Sequence, residues 1–473
     1  MISRFQSTPE TLADFILDVR KQVLELGRIM VQEVLSGMNQ SICAAPERKE
    51  DWSIKKYDTR KLLTSLGEIE FQHTLFQGKK GQGSRYFLDE IIGIDPSQRV
   101  LPDAMALILQ EAAITSYRKG GESFCEGEQV SPQTVKNIIH GLKFPKEAKP
   151  AVRKQVRFLY VEADEDHIAL QFRDHKGDLE QDEHGRKNNT AIGKIVYIHE
   201  GLEKDSPGGK RRHLVNPHYF GGLYSGEENQ QLWKEVAQYI NDHYDLDAVE
   251  KISLGADGGQ WIQGARTAIP GLCMALDEFH LAKYLLKMTA FLQDSSYDAC
   301  QDLKKAIREN NRASFDGQVL KIAGYCETES AKKRIRDSAD YIRSNWEAAR
   351  VRLAREDGLV GCSAEGHVSH VFSARMSSRP MGWSRTGVEK MCRLRVYVKN
   401  GGNVLELAKY QRMCKEELPK AAGAEGLSCT AVLRGEKNLH PGIGKYVEAV
   451  LAEVSPVIAS QYWYKGLMKN YLF

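Results

Sequence analysis

The chain has 473 residues, of which 42% are hydrophobic and 27% are charged, a balance typical of a globular protein. Such a length predicts roughly two to four domains of ~100–200 residues each. The 66 Lys and Arg residues nearly balance 63 Asp and Glu residues, which leaves a net charge of +3. Any affinity for nucleic acid must therefore come from local basic patches.

The residue pattern gives no support to a membrane protein or a zinc protein. No apolar run approaches the ~18 residues of a membrane span, and the first residues lack the basic and apolar regions of a signal peptide. The nine cysteines stand singly, without the paired spacing of a zinc site. We expect a cytoplasmic protein with free thiols and no membrane partner.

The N-terminal region is predicted to be mainly helical. Residues 10–40 carry a stripe of apolar side chains at helical spacing, from Leu12 to Val34, which suits an intramolecular bundle or a dimer face equally. Residues 60–77 alternate on both sides of Gly67 and predict a hairpin.

A capped amphipathic helix is predicted next, in VSPQTVKNIIHGL. Ser131 suits the N-cap and Pro132 the first turn, and the apolar residues from Val135 to Leu142 form a face to bury. The pattern resembles the second helix of a helix-turn-helix, whose outer polar side chains can contact bases and phosphates. The candidate DNA contacts are Gln133, Thr134, Lys136 and Asn137. An ordinary surface helix explains the pattern as well.

From residue 151 the pattern predicts strands first and then strands that alternate with helices. The strands read VRFLYVEA, HIALQFR and KIVYIHEG, followed by KISLGAD and CMALD. We expect an α/β fold in which a mixed sheet is flanked by helices. Beyond Asp277 a charged helical stretch predicts an all-helical insertion, where Trp346 is either a functional wedge or a packed core residue.

Three acidic residues are the candidate centre of chemistry. Asp164 and Asp257 each follow a short apolar run typical of a buried strand, so two neighbouring strand ends could present both carboxylates together. Glu365 precedes residues at helical spacing and could approach from a helix. Carboxylates are preferred ligands of Mg²⁺ and Mn²⁺, and two such ions ~3.5–4 Å apart suit phosphoryl transfer. Taken singly, each acid also fits a solvated surface residue.

Five phrases resemble the ISLre-two family of bacterial insertion-sequence transposases, over most of the chain up to about residue 400. They are YVEADEDHIALQ, HYFGGLYSGEEN, LGADGGQWI, LDEFHLAKY and GCSAEGHVSHVFSARMSSRPMGWS. The resemblance implies a DDE transposase with a ribonuclease H-like catalytic domain, related at a distance to Mutator-like enzymes.

This resemblance implies that Asp164, Asp257 and Glu365 form the catalytic triad and hold two Mg²⁺ or Mn²⁺ ions. Mutator-like enzymes place a His three residues after the first Asp, as His167 follows Asp164. Asp166 stays open as an alternative first acid, because alternation places it on the same strand face.

The resemblance also implies a role for a histidine beyond the second acid. These enzymes carry a Cys or Asp followed three residues later by a His, which Asp277 and His280 match. His280 is a candidate to hydrogen-bond the scissile phosphate or to steady a metal-bound carboxylate. Capping of the helix start is the alternative role.

Basic residues crowd the segment after Glu365 and are candidates to guide the DNA backbone. Arg375, Arg379 and Arg385 belong to this group, and Trp383 could stack on an unpaired base. A solvated charged helix is the alternative interpretation.

The predicted organisation has five segments. They are a DNA-binding and oligomerisation region at 1–150, the first part of a ribonuclease H-like core at 151–292, a helical insertion at 293–355, the last part of the core with Glu365 at 356–400, and a helical tail at 401–473.

We expect a transposase that binds the terminal repeats of its own element and target DNA, as a homodimer or higher multimer, in the bacterial cytoplasm at the nucleoid. The alternatives are a ribonuclease H-like nuclease that never joins strands and a non-catalytic DNA-binding regulator.

Overall fold

The computed structural model describes residues 11–125, 127–172, 175, 180–181, 185, 187–379 and 381–414. Most of the predicted tail at 401–473 lies outside these residues. The chain divides into two compact units. Of the described residues, the first unit comprises those up to 112, those within 116–135 and 408–414, and the second comprises 113–115 and those within 136–407.

The N-terminal part combines a long helix with an antiparallel hairpin. Its elements are α1 (Leu12–Ala44), α2 (Pro46–Asp51), β1 (Trp52–Thr64), β2 (Gly67–Gly78), β3 (Ser84–Arg85), α3 (Phe87–Ile92), α4 (Pro102–Ile114) and α5 (Tyr117–Glu122). Strands β1 and β2 pair antiparallel from Trp52↔Gly78 to Thr64↔Gly67, so the predicted hairpin is confirmed. Thr11 and Asp14 close a capping box at the start of α1, and Leu35, Met38 and Ile42 at its far end join the hairpin core.

The elements after this region are α6 (Pro132–His140), β4 (Phe158–Ala169), β5 (Glu180–Gln181), β6 (Lys187–Asn188), β7 (Thr190–His199), β8 (Leu202–Lys204), β9 (Arg212–Leu214), β10 (His218–Leu223), α7 (Glu228–His243), β11 (Lys251–Ala256), α8 (Gln260–Gln263), α9 (Ala265–Ala268), β12 (Cys273–Leu276) and α10 (Glu278–Thr289). A 3₁₀ segment (Ala290–Ser295) follows, and then α11 (Ser296–Arg308), α12 (Arg312–Gly324), α13 (Glu329–Ser344), α14 (Trp346–Ala354), α15 (Ala364–Val368), a π-helical turn (Ser369–Ser373), α16 (Ala374–Met376), α17 (Arg385–Lys399) and α18 (Val404–Met413).

A five-stranded mixed sheet organises the second unit. Its strand order is β10-β7-β4-β11-β12. The pairs β10 with β7 and β7 with β4 are antiparallel, whereas β4 with β11 and β11 with β12 are parallel. Helices flank this sheet, so the predicted α/β class with a mixed sheet is confirmed at that level.

One detail of the strand prediction is wrong. Residues of VRFLYVEA and HIALQFR lie on one continuous strand, β4 (Phe158–Ala169), whose residues from Tyr160 to Ala169 pair with β7. The third antiparallel strand is instead β10, in the phrase HYFGGL. Asp164 therefore lies inside a strand and not at its end.

The two faces of the sheet differ in what covers them. Leu159, Val161 and Ala163 of β4 point into the main apolar core, where Trp233 and Val236 of α7 are fully buried. The alternate residues of β4 face the helices that follow Glu365. Phe372, in the π-helical turn, lies against Gly193 of β7 and Gly221 of β10, where no larger side chain fits. This second face holds the candidate site.

Helices α11 to α14 occupy the interval of the predicted insertion and join the same apolar core. Trp346 is only 2% exposed, and its indole N–H donates to the side-chain oxygen of Asn310 at 2.7 Å. Phe315 meets the ring edge to face, with centroids 5.3 Å apart. Trp346 is thus a packed core residue rather than a wedge. In the described part of the chain, no helix has both the length and the apolar character to cross a membrane.

Replacing Trp346 with Ala is expected to lower the free energy of unfolding by about 3–5 kcal/mol, because it leaves a cavity in the apolar core. Trp346→Phe keeps most of the ring volume and should cost less. Urea unfolding followed by circular dichroism measures both values. A loss below about 1 kcal/mol in the Ala variant would contradict this packing.

Candidate active site

Two aspartates meet at the edge of the sheet because of strand register. The parallel pairing of β4 with β11 aligns Ala163 with Ala256, the last residue of β11. The next residues, Asp164 and Asp257, therefore lie side by side. This brings together the first two acids that the sequence predicts.

Their proximity changes the chemistry of Asp164. Burial raises the pKa of its carboxyl group to about 6, and the negative charge of Asp257 adds to the rise. The backbone N–H of Glu165 donates to Asp164 Oδ1 at 2.8 Å and opposes that shift. The arrangement concentrates negative charge in a half-buried place, which suits a cationic ligand.

The loop that carries Asp257 is held by its own glycines and by the helical insertion. The backbone N–H of Gly259 donates to Asp257 Oδ1 at 2.9 Å, and the Tyr341 hydroxyl of α13 donates to the main-chain oxygen of Asp257. Gly258 has a φ of +83°, and a Cβ there would lie 2.3 Å from Asn345 Oδ1. The sequence DGG signals this turn, but nothing in it points to Tyr341 or Asn345.

Asp277 and His280 form a charged pair beside the two acids. Asp277 is the N-cap of α10 and accepts from the backbone N–H of His280 at 3.3 Å, and its carboxylate lies 2.8 Å from His280 Nδ1. This contact raises the pKa of His280, and the charge of Asp257 raises it further. The N-cap of α10 is therefore Asp277, and His280 does not cap the helix but is held by the capping carboxylate.

Glu365 lies on α15, whose Ala364 and Val368 are buried while Glu365 itself is exposed. Helix α15 packs against β4. Within the described residues, however, no group of three or more His, Cys, Asp or Glu side chains is arranged to hold a metal ion. The structure therefore places Asp164 and Asp257 side by side and Glu365 on a helix that packs against β4, and the triad stays a prediction.

The structure also distinguishes the neighbouring acids of β4. Asp166 accepts from the Ser377 hydroxyl, which lies 2.8 Å and 3.0 Å from its two oxygens. His167 is exposed on the opposite strand face, with its Nε2 3.5 Å from Glu165 Oε1. Asp164 is the acid that faces Asp257, whereas His167 points away from the pair.

Two of the predicted DNA contacts are buried instead. Arg375 is 3% exposed and Trp383 is 6% exposed, with the Arg375 guanidinium 4.7 Å from the centre of the indole ring. The indole N–H donates to the main-chain oxygen of Met376 at 3.1 Å. These side chains stabilise the fold and do not present a surface to DNA, whereas Arg379 and Arg385 are exposed.

Helix α6 has the predicted cap and faces. Ser131 Oγ accepts from the backbone N–H of Thr134 at 3.1 Å, and Val135 and Ile139 are fully buried. Gln133 and Asn137 are exposed one turn apart, whereas Thr134 and Lys136 are half-buried. The outer face available to a ligand is thus narrower than predicted.

Comparison with known proteins places this chain among proteins of one bacterium. A UPF0236 protein of Caldanaerobacter subterraneus subsp. tengcongensis, whose name joins eleven locus labels, is 33% identical over 402 residues, which cover 84% of this chain and 79% of the relative. The UPF0236 protein TTE2489 of the same organism is 33% identical over 399 residues, 84% of this chain and 80% of the relative.

The uncharacterised protein family UPF0236 matches residues 11–413. With that match and these relatives, the chain belongs to the UPF0236 family.

Proposed function

We propose that this protein is a DNA transposase that cuts and joins DNA strands with two divalent cations at Asp164, Asp257 and Glu365. The observation that carries the proposal is the side-by-side placement of Asp164 and Asp257 at the end of β11. Neighbouring carboxylates can hold the two divalent cations that stabilise the attacking and leaving oxygens in phosphoryl transfer.

The sheet supports the proposal. Three antiparallel strands followed by two parallel ones, with the first strand in the centre, form the order β10-β7-β4-β11-β12. This is the order expected of a ribonuclease H-like domain. The first acid then lies on the central strand, the second follows its parallel neighbour, and the third lies on a helix that covers the same face.

The donor set fits Mg²⁺ or Mn²⁺. Two carboxylates whose charges repel each other are stabilised when a hard cation lies between them, and oxygen is the ligand atom that both ions prefer. Bound cations would activate the attacking oxygen and stabilise the leaving oxygen. The exposed side chain of Glu365 has the rotatable bonds to complete the ligand set from α15.

The chain itself supplies position and charge. Gly259 and Tyr341 fix the second acid, so its carboxylate needs little reorganisation when a substrate binds. His280, held by Asp277 and favoured in its charged form, is placed to donate a hydrogen bond to a phosphate oxygen beside Asp257. Arg379, Arg385, Gln133 and Asn137 are the exposed candidates to contact DNA.

The names of the relatives are consistent with a mobile gene. The name of one relative joins eleven locus labels from one organism, and the name of another joins four. A protein sequence that recurs at many loci of one genome is expected when its gene copies itself. This is the feature that favours a transposase over a nuclease that never joins strands.

Helix α1 supports the predicted multimer. Leu12, Ile16, Val19, Val23 and Leu26 recur at spacings of four and three, the pattern of a helix that packs against another helix. Leu12 is 74% exposed, Ile16 58% and Val23 61%. Such a contiguous apolar stripe is costly in water, and a second copy of α1 would cover it.

Cleavage is the first test. DNA that carries the element ends should be cut at the element boundary with Mg²⁺ or Mn²⁺ and should remain intact with chelator. Asp257→Ala should slow cutting roughly a thousandfold, because the charge stabilisation by a cation is worth several kcal/mol. Binding to the element ends, measured by fluorescence anisotropy, should persist.

Asp247→Ala is the matched control, since Asp247 is an exposed acid in the turn before β11. Full cutting by Asp257→Ala would remove this residue from the site. Cutting without any joined product from a precut end would favour a nuclease, and specific binding without cutting would favour a regulator.

Without a bound cation, Asp164→Asn is expected to stabilise the protein near neutral pH. The pKa of Asp164 is about 6 in the folded chain and ~3.9 in an unfolded one. The protonated carboxyl group thus favours folding below pH ~4, and this contribution is lost as the pH rises through about 6. The charged carboxylate then costs on the order of 2 kcal/mol.

Urea unfolding in chelator at about pH 7.5 and about pH 4.5 measures this difference. We expect Asp164→Asn to be more stable than the unsubstituted chain by about 1–2 kcal/mol at the higher pH and by roughly a third as much at the lower, where the unfolded carboxyl group is still mostly ionised. A lower stability of Asp164→Asn at the higher pH would contradict the conclusion that the ionised Asp164 carboxylate destabilises the fold.

The multimer is tested on α1. Light scattering should give twice the chain mass of 53.3 kDa, and Ile16→Glu should shift it toward a single chain, because the interface would bury a charge. Leu17→Glu is the matched control, since Leu17 is 53% exposed but lies about 100° around the helix from Ile16. Equal effects of both variants would contradict the proposal that the apolar stripe of α1 forms the interface.

A further inference from the structure

Three acids of β4 share one strand face and make different contacts. Glu162, Asp164 and Asp166 alternate along the strand, so all three side chains point toward the segment that carries Glu365. This segment, residues 363–377, runs through α15, the π-helical turn and α16, and we call it the helical strap. Its inner face buries Ala364, Val368, Phe372 and Met376.

The N-terminal end of the strap is anchored on Glu162. The backbone N–H of Ser363 donates to Glu162 Oε2 at 2.5 Å, and the Ser363 hydroxyl lies 3.2 Å from the same oxygen. Glu162 is 2% exposed and is itself held by the Tyr197 hydroxyl at 2.5 Å and by His199 Nε2 at 3.1 Å. A buried carboxylate with this many partners has a fixed position.

The C-terminal end of the strap is anchored on Asp166 through the Ser377 hydroxyl. Between the anchors, His367 Nδ1 lies 2.8 Å from the Tyr219 hydroxyl of β10. Hydrogen bonds of Ser363, His367 and Ser377 therefore hold the strap to the sheet. Asp164 lies between the two anchors, about 7 Å from each along the strand.

We propose that Glu162 and Asp166 are positioning residues that hold the helical strap, and with it Glu365, over Asp164, and that neither binds a cation. The assignment rests on the proposed function for the role of Glu365. It explains why three acids alternate where the chemistry needs one. It also favours Asp164 over Asp166 as the first catalytic acid, because Asp166 accepts a hydrogen bond from the strap at Ser377 whereas Asp164 lies beside Asp257.

The pair Asp166 and Ser377 gives the sharpest test, because Ser377→Ala removes the anchor and leaves the carboxylate. We would compare Asp166→Asn, Ser377→Ala and their double variant for Mn²⁺ binding by calorimetry, for single-turnover cutting of element ends, and for hydrogen exchange of residues 364–376. Ser378→Ala is the matched control, since Ser378 is the exposed neighbour.

We expect Asp166→Asn and Ser377→Ala to slow cutting by the same factor, roughly 10- to 100-fold, and the double variant to be no slower than either. Exchange of the strap should accelerate in all three, and Mn²⁺ affinity should change by the same factor in Asp166→Asn and Ser377→Ala, because both variants keep Asp164 and Asp257 and disturb only the position of Glu365. Glu162→Gln keeps one acceptor oxygen and should lose less cutting than Glu162→Ala.

Two results would overturn the assignment. Mn²⁺ affinity lost in Asp166→Asn but kept in Ser377→Ala would make Asp166 a ligand. Faster exchange with unchanged cutting would make the strap structural only. If the unsubstituted protein neither binds Mn²⁺ nor cuts DNA, the proposed function itself fails, which differs from either result.

Discussion

The parallel pairing of β4 with β11 is the constraint on which the candidate site depends. Strand β11 ends at Ala256, whereas β4 continues to Ala169 paired with β7. Strand β4 therefore extends beyond the end of its neighbour β11, and Asp164 is the first residue of that extension, beside Asp257. Hydrogen bonds between backbones fix this position, so the main chain keeps the two carboxyl groups near each other despite their repulsion. The fold holds in place a charge arrangement that is unfavourable without a counter-ion.

Sequence patterns predicted the place of Asp257 because its apolar strand ends where its acid begins. They failed for Asp164, since the run EADEDH is polar on both strand faces and suggests the end of a strand. What keeps this run extended is pairing with β7, a segment more than twenty residues away, and the hydrogen bonds that its acids accept from Ser363 and Ser377. No local pattern encodes such contacts, so the continuous strand and the roles of Glu162 and Asp166 required the structure.

The basic segment after Glu365 shows a second limit of prediction from the sequence. Arg375 and Arg379 are four residues apart, yet one is buried against Trp383 and the other is exposed. The difference comes from the return of the chain to β4, where Trp383 hydrogen-bonds to Ala169 through its backbone N–H at 3.0 Å. An arginine that covers an indole ring stabilises the fold through packing as well as charge, and it has no exposed surface for phosphate.

The helical insertion is coupled to the site through a small number of aromatic and polar contacts. Tyr341 of α13 holds the main-chain oxygen of Asp257 and stacks on Tyr284 of α10, with ring centroids 3.8 Å apart. Helix α10 begins at the Asp277 cap that binds His280. One side chain of the insertion therefore touches both the loop of the second acid and the helix of the histidine. Because packed interiors transmit displacement rather than absorb it, a shift of α13 would move both groups together. The helical insertion therefore helps to set the geometry of the site and is not an independent module.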